Sequence, residues 1–320
     1  MVLYVQETGA IIQRRGGGLE VRKQGALLYR VPLVGLDRLV VIGVVQVTTQ
    51  ALYALSAQGI DVVYLSANGR MRCTVYAQKT DNVFLRMAQY QRAMDAAYRL
   101  AFAKALVQAK MTTQIKQIRA QRLDDAYDWQ AAIERIAQLG ASVSQCDTID
   151  GLRGLEGSAS RIYFECFGAG MKKLPFTGRS RRPAREPSNA LLNLGYAFLS
   201  NECIALLDAG GLDCGLGFMH GVVYGRKSLA LDIMEPFRAE TVDRVVLRIC
   251  NWGMIEEKDF VEDAQTGFRL TPEGFRTFVA QYEKHVMDGE RPLRTALRDE
   301  VGKLRHALLE GSSFSPWEGD

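Results

Sequence analysis

Histidine is scarce in this chain, with three in 320 residues. That leaves little room for a metal site built mainly from imidazoles. Cysteine gives no alternative. The six (Cys73, Cys146, Cys166, Cys203, Cys214 and Cys250) are scattered, and no CxxC pair occurs. A structural zinc site is therefore not expected, and the thiols read as small core hydrophobes in a reducing compartment. No stretch approaches the roughly 18 uninterrupted apolar residues of a membrane span. The opening MVLYVQETGA lacks the basic start and apolar run of a secretory signal. A cytoplasmic protein with no membrane association is expected. One-sided charge is missing too: 40 Lys and Arg against 36 Asp and Glu leave +4. Net charge this small steers a polyanion weakly, so any nucleic-acid surface has to come from local clustering. There is no repeat of solenoid period.

What is present is ordinary globular composition, 48% hydrophobic and 24% charged, in a length that suits about two domains. Residues 1–79 read as β-rich: VLYVQ, LEVRK, ALLYRV, RLVVIGV and IDVVYLS are separated by Gly-rich punctuation such as Gly16-Gly17-Gly18. One helix interrupts them, TTQALYALSAQG, with Thr48 or Thr49 as cap and Gly59 at its end. From about residue 80 the chain turns to Ala, Leu, Gln, Met, Arg and Lys, with apolar residues at helical spacing in FLRMAQYQRAMDAAYRLAFAKAL. Further helices are expected in RIYFECF, NALLNLGYAFLSNECIALLDAG, AETVDRVVLRICNWG and TPEGFRTFVAQYEKHV, the last opening on Thr271 and Pro272. The tail SSFSPWEGD is expected to be mobile. The fold class is α+β in two domains: a small β-sandwich-like domain over 1–79, then a larger, mainly α-helical one over 80–320.

Within GFMHGVVYGRKSLALDIMEPFR, His220 precedes Asp232 and Glu235, which stand three apart in an otherwise apolar helix. Side chains at i and i+3 rise from one face, so at least one carboxylate points into protein, where it needs a cation or several donors. Glu156, near the start of a helix entered through the Gly-punctuated IDGLRGLEGSAS, is the best candidate for a further acid. Two carboxylates and an imidazole make a mixed O/N site suited to Mg²⁺ or Mn²⁺ rather than zinc. The plainer alternative is a satisfied structural histidine beside a solvated acidic face. A second cluster, KKLPFTGRSRRPARE, carries Lys172, Lys173, Arg179, Arg181, Arg182 and Arg185 against Glu186 on a Pro- and Gly-rich loop. Such a loop either neutralises phosphates or merely aids solubility.

Four linked stretches, GLEGSASRIYF, FTGRSRRPAREPSNALLNLGYAFLSNE, GLDCGLGFMHG and SLALDIMEPFR, stand in the order and spacing of the CRISPR-associated integrase family. This family is the larger, catalytic protein of the spacer-acquisition complex. The resemblance extends over nearly the whole chain. It implies an N-terminal β domain that dimerises and a helical, metal-dependent catalytic domain. It also implies double-stranded DNA as substrate, a homodimer, and a small ferredoxin-like partner completing a heterohexamer. Carried across, the Mg²⁺ or Mn²⁺ ligands fall on Glu156, His220 and Glu235, and Asp232 matches a further acidic position near the metal. The DNA-contacting pattern lands on Arg179, Arg181, Arg182 and Asn189. Ala184 replaces a commoner proline, Glu186 a commoner aspartate and Cys214 a commoner proline, and Glu235 stands where some relatives carry Asp. The implied activity is insertion of short DNA fragments into a repeat array by 3′-hydroxyl attack. Alternatives using the same residues are a nuclease for branched DNA in repair, or a non-enzymatic DNA-holding scaffold.

Overall fold

A computed structural model describes residues 1–66, 69, 71–77, 82–121, 127–180, 183–263 and 267–319. The chain divides into two compact units, Met1–Asp81 and Asn82–Asp320. Residues 78–81, where the composition changes, lie outside the described residues.

The first unit holds β1 (Val2–Val5), β2 (Ala10–Arg15), β3 (Gly18–Lys23), β4 (Ala26–Pro32), β5 (Arg38–Ile42), β6 (Gln46–Val47), α1 (Thr49–Ala57), β7 (Asp61–Leu65) and β8 (Met71–Val75). Two four-stranded sheets form, in the orders β1-β5-β7-β8 and β4-β3-β2-β6. In the first, β1, β5 and β7 are parallel and β8 is antiparallel at the edge. In the second, β4-β3-β2 is an antiparallel meander with β6 parallel to β2. Ala10 and Ile12 of β2, Leu39 and Val41 of β5, and Leu19 and Val21 of β3 point inward at the period of two that a pleated strand imposes. With Ala51 and Leu55 of α1 they close one apolar core. Gly18 is required where it stands, because a Cβ there would lie 2.6 Å from the Val31 carbonyl oxygen on β4. Thr48 caps α1, its hydroxyl accepting from the Ala51 N–H.

The second unit contains α2 (Val83–Met94), α3 (Ala96–Ala120), α4 (Trp129–Ser142), α5 (Ile149–Gly170), α6 (Pro187–Ala209), α7 (Ser228–Met234), α8 (Arg244–Asn251), the hairpin β9 (Phe260–Asp263) and β10 (Gly267–Leu270), α9 (Pro272–Val286) and α10 (Leu293–Glu310). One π-helical turn, Ala239–Asp243, leads into α8. The sheet-then-helix division agrees with the α+β expectation. α3 packs against both α4 and α5, and α6 packs against α7, α8, β10 and α10. By length and apolarity α6 resembles a membrane span, yet 67% of its most apolar window is buried inside the protein. Its apolar surface is used by the core.

Two expectations are corrected here. IDGLRGLEGSAS is not a loop leading into a helix. Thr148 caps α5, accepting from the Gly151 N–H at 3.1 Å, and Gly151, Gly154 and Gly157 all lie within the helix. Each helical glycine costs about 1 kcal/mol relative to alanine, a loss that packing of Leu152, Ala159 and Ile162 outweighs. The described part of the C-terminal tail, up to residue 319, is anchored rather than free. Phe314 stacks on Phe102 at 4.9 Å and Trp317 on Phe237 at 4.4 Å, both rings buried. Two aromatic anchors in a nine-residue segment offset the entropy that would otherwise free it.

Candidate active site

Asp232, on α7, is completely buried, and its carboxylate gathers the loop that precedes the helix. It accepts the N–H groups of Phe218 at 2.6 Å, Met219 at 3.1 Å and His220 at 2.9 Å, and pairs with His220 Nδ1 at 2.7 Å. Four partners satisfy a charge that burial alone would make costly. Assigned from this hydrogen bond, the proton sits on Nδ1, and Nε2 becomes the ring's electron-pair donor. Gly217 makes the close approach possible, since a Cβ there would lie 2.6 Å from the His220 carbonyl oxygen and 2.8 Å from Asp232 Oδ2. The outer edge of the loop is clamped from two helices. Arg99 on α3 donates to the Phe218 carbonyl at 3.2 Å, and Arg153 on α5 donates to that of Met219 at 2.7 Å. The Phe218 ring lies against Phe102 at 4.6 Å.

Glu235 follows α7 directly, and Pro236 prevents the helix from continuing. Although three residues from Asp232, it addresses different partners. Its Oε1 lies 3.0 Å from Arg238 Nη2, and its Oε2 lies 2.6 Å from the ammonium of Lys110 on α3. The same ammonium pairs with Glu156 Oε1, which also accepts the Ser160 hydroxyl at 2.9 Å. Thus α3 supplies one cation to two carboxylates carried by α5 and by the end of α7. Burial tends to raise the Glu235 carboxyl, but Arg238, Lys110 and His220 outweigh it and hold it at about 2. Burial likewise tends to discharge Lys110, and the charges of Glu235 and Glu156 overcome this, so its ammonium is held above the ordinary lysine range.

Behind Arg238 lies a further buried acid. Asp243, at the end of the π-helical turn, accepts the hydroxyls of Tyr163 at 2.8 Å and Tyr196 at 2.5 Å. Burial raises its carboxyl to about 6 against the lowering pull of those hydroxyls and of Arg179 and Arg238. The Tyr196 ring carries the guanidinium groups of Arg238 at 4.8 Å and Arg179 at 5.2 Å. The basic loop is therefore linked to the acidic site through one aromatic ring.

On either side of residues 181–182 that loop is tied down. Thr177 donates through its N–H and hydroxyl to Glu186, Ser188 donates to the Pro175 carbonyl at 2.6 Å, and Phe176 packs on Phe167 at 4.9 Å. At its far end the Phe268 N–H donates to the Ala184 carbonyl at 3.1 Å. Lys172, Lys173 and Arg185 are exposed. Arg179 is half-buried, donating to Asn189 Oδ1 at 3.0 Å and Asn193 Oδ1 at 2.7 Å. Asn189 is fully buried, donating to the Gly178 carbonyl and to Glu186. Its side chain is engaged in shaping the loop. Arg181 and Arg182 lie outside the described residues.

Glu156 and Glu235 are brought onto one cation, and His220 is among the neighbours that act electrostatically on Glu235. Asp232 is placed behind His220 rather than beside Glu235. Among the described residues, no three His, Cys, Asp or Glu side chains already form a ligand set. Lys110 stands between the carboxylates instead. The donor set nevertheless fits a hard divalent cation: two carboxylates and one oriented imidazole. Moreover, Glu235 Oε2 is a buried oxygen whose close partner is the Lys110 ammonium, the place a bound cation would take. Lys110 and Arg238 had not been singled out from the sequence. The signal for Lys110 was there: Ala103, Leu106, Val107 and Lys110 share the buried stripe of α3. A lysine in that phase has to meet buried acids. For Arg238 it was the i, i+3 spacing from Glu235.

The family model for CRISPR associated protein Cas1 matches residues 3–284. The chain belongs to the Cas1 family. It is 33% identical over 329 residues to a protein named CRISPR-associated endonuclease Cas1 3 from Thermus thermophilus, covering 99% of this chain and 96% of that one. Within the solved structures, a Cas6-RT-Cas1--Cas2 complex contains a chain that superposes with a TM-score of 0.85 at 26% identity, over all of this chain and 36% of that longer one. A CAS1 protein from Thermotoga maritima has the same fold over its full length, with a TM-score of 0.85 at 22% identity.

Proposed function

We propose that this Cas1-family chain inserts short DNA fragments into a CRISPR repeat array by metal-dependent transesterification. The observation that supports this most is the convergence of Glu156 and Glu235 on a single cation beside an imidazole already oriented by Asp232. Glu156, Glu235 and His220 Nε2 would hold the ion, and Asp232 keeps the imidazole in the ligating tautomer. Bound there, Mg²⁺ or Mn²⁺ supplies acidity to an attacking hydroxyl and neutralises charge at the phosphate. In the reaction the 3′-oxygen of the incoming fragment bonds to a repeat phosphorus, and the bond from that phosphorus to the repeat 3′-oxygen breaks. The proton lost by the nucleophile is balanced by the one taken up by the leaving oxygen. Lys172, Lys173 and Arg185, with Arg181 and Arg182, grip the backbone and position it without reading sequence. Water in place of the hydroxyl gives hydrolysis, the activity for which its endonuclease relatives are named.

The partner in this reading is a small ferredoxin-like protein; that a Cas6-RT-Cas1--Cas2 complex is among the structural neighbours supports a partner protein as such. Two homodimers, each joined through its β domains, would flank a central dimer of that partner in a cytoplasmic heterohexamer. The test is joining of a labelled fragment to a repeat plasmid by His220→Ala, with and without EDTA. Joining is expected to fall by at least about a hundredfold, beyond the 10- to 100-fold typical of losing a group behind a ligand, while DNA binding persists. Near-normal joining by the variant would reject the assignment, and EDTA-resistant joining would reject the metal. Joining undetectable in the wild type under any metal would favour a DNA-holding scaffold.

A further inference from the structure

Lys110 is a poor permanent resident of the site. Its ammonium is buried and pairs with both Glu156 and Glu235 Oε2, the latter at 2.6 Å. A divalent ion held by these two carboxylates would sit against a third positive charge, since Arg238 already occupies Glu235 Oε1 at 3.0 Å. The two cationic side chains are not equally able to yield. Arg238 is fixed between Glu235 and the Tyr196 ring. Lys110 is a point charge on a four-carbon stem, free of the planar fork that commits an arginine to one geometry. An ammonium released from the carboxylates still needs an anionic partner, because burying it unpaired is costly. The anion the proposed reaction brings to this place is a DNA phosphate.

We propose that Lys110 is an exchangeable internal cation that couples metal binding to DNA binding: the metal displaces its ammonium from Glu156 and Glu235, and the incoming phosphate takes it up. This rests on the metal-dependent reading above and extends it. Without metal, Lys110 neutralises two acids brought close together. With metal and no DNA, it is a competitor. With both, it is a positioning residue on the phosphate. Binding of either ligand should therefore strengthen the other by the same factor, as linkage requires.

The experiment titrates Mn²⁺ into the full chain by electron paramagnetic resonance of the free ion. Titrations are run with and without a short duplex ending in 3′-dideoxy nucleotides, which cannot join. For the wild type, DNA should tighten Mn²⁺ binding by about tenfold, within the 5- to 150-fold range of ordinary couplings. Lys110→Met should bind Mn²⁺ alone more tightly than the wild type by a similar factor, with little further gain from DNA. Lys110→Arg should retain the competing charge and the weaker metal binding. Thermal melts give a second readout: Lys110→Met should melt lower than the wild type in EDTA, and saturating Mn²⁺ should close the gap. Equal or weaker Mn²⁺ binding by Lys110→Met, or no effect of DNA on the wild type, overturns the coupling while leaving the metal site standing. Should Lys110→Met not fold, Lys110→Gln replaces it, and the wild-type coupling decides in any case. Wild-type protein that binds no Mn²⁺ under either condition would overturn the metal reading itself.

Discussion

The interiors of the two units are built to different rules. In Met1–Asp81 the buried residues are almost wholly apolar, and the one buried charge among those described, Glu20, lies beside Gln13, Arg22 and Arg30. In Asn82–Asp320, Lys110, Glu202, Asp232, Glu235, Asp243 and Glu300 are all buried. A buried ion pair is seldom a good way to stabilise a fold, since desolvation cancels much of its attraction. Where several gather on α3 and the α7–α8 segment, stability is a weak explanation and chemistry a better one. The first unit shows what this chain does when only packing is at stake.

The contrast is broken most severely by paired substitutions. His220→Ala should abolish most joining with the melting temperature nearly unchanged. Ile12→Ala, in the apolar core, should cost about 2–5 kcal/mol while leaving the catalytic groups in place. A joining assay and a urea titration on each variant read both effects, and equal loss of stability in the two would undo the distinction. Next in size, Trp317→Ala should cost roughly 3–5 kcal/mol by removing the ring that stacks on Phe237, two residues from Glu235. A truly mobile tail would lose nothing in the same titration.

Two buried acids then predict opposite pH trends in EDTA. Glu235 is held at about 2, below its unfolded value, so its stabilisation is present above about pH 4.5 and is lost as pH falls towards 2. Asp243 is raised to about 6, so the folded state binds its proton more tightly. Stability is then greatest near pH 4 and falls as pH rises through 6. Each contributes up to roughly 3 kcal/mol. Glu235→Gln should flatten the acid limb of a plot of urea midpoint against pH, and Asp243→Asn the limb between 4 and 6. Exchanged limbs would refute the assignment. The smallest effect falls on the loop: neutralising Lys172, Lys173 and Arg185 should flatten the plot of log affinity against log salt by about 0.9 for each phosphate left without its cation, with melting unaltered.

Much of the fold was legible along the chain. The Thr48 cap of α1 and the Thr271-Pro272 opening of α9 appear where local rules place them, because a cap is an interaction across three residues. The glycines at 151, 154 and 157 misled, since their usual meaning as breakers is overruled by packing of α5 on α3 and α4. The tail misled for the same reason: its Phe and Trp find partners more than 75 residues away in sequence. At the site, the residue types and the His220, Asp232 and Glu235 spacing were readable. The separate tasks of Asp232 and Glu235, and the burial of Asn189, were not.

Taken alone, the amino-acid order determined the family, the strand-rich and helix-rich halves, and the kinds of atom available for chemistry, because period, capping and motif spacing are short-range properties of a chain. Which carboxylate orients the imidazole, which one shares Lys110 with Glu156, and which basic side chains remain exposed were decided only by the packing of α3, α5 and α7. Those outcomes depend on distances between residues up to about 125 positions apart (Lys110 to Glu235), and burial makes such distances decisive by weakening the screening of every charge involved.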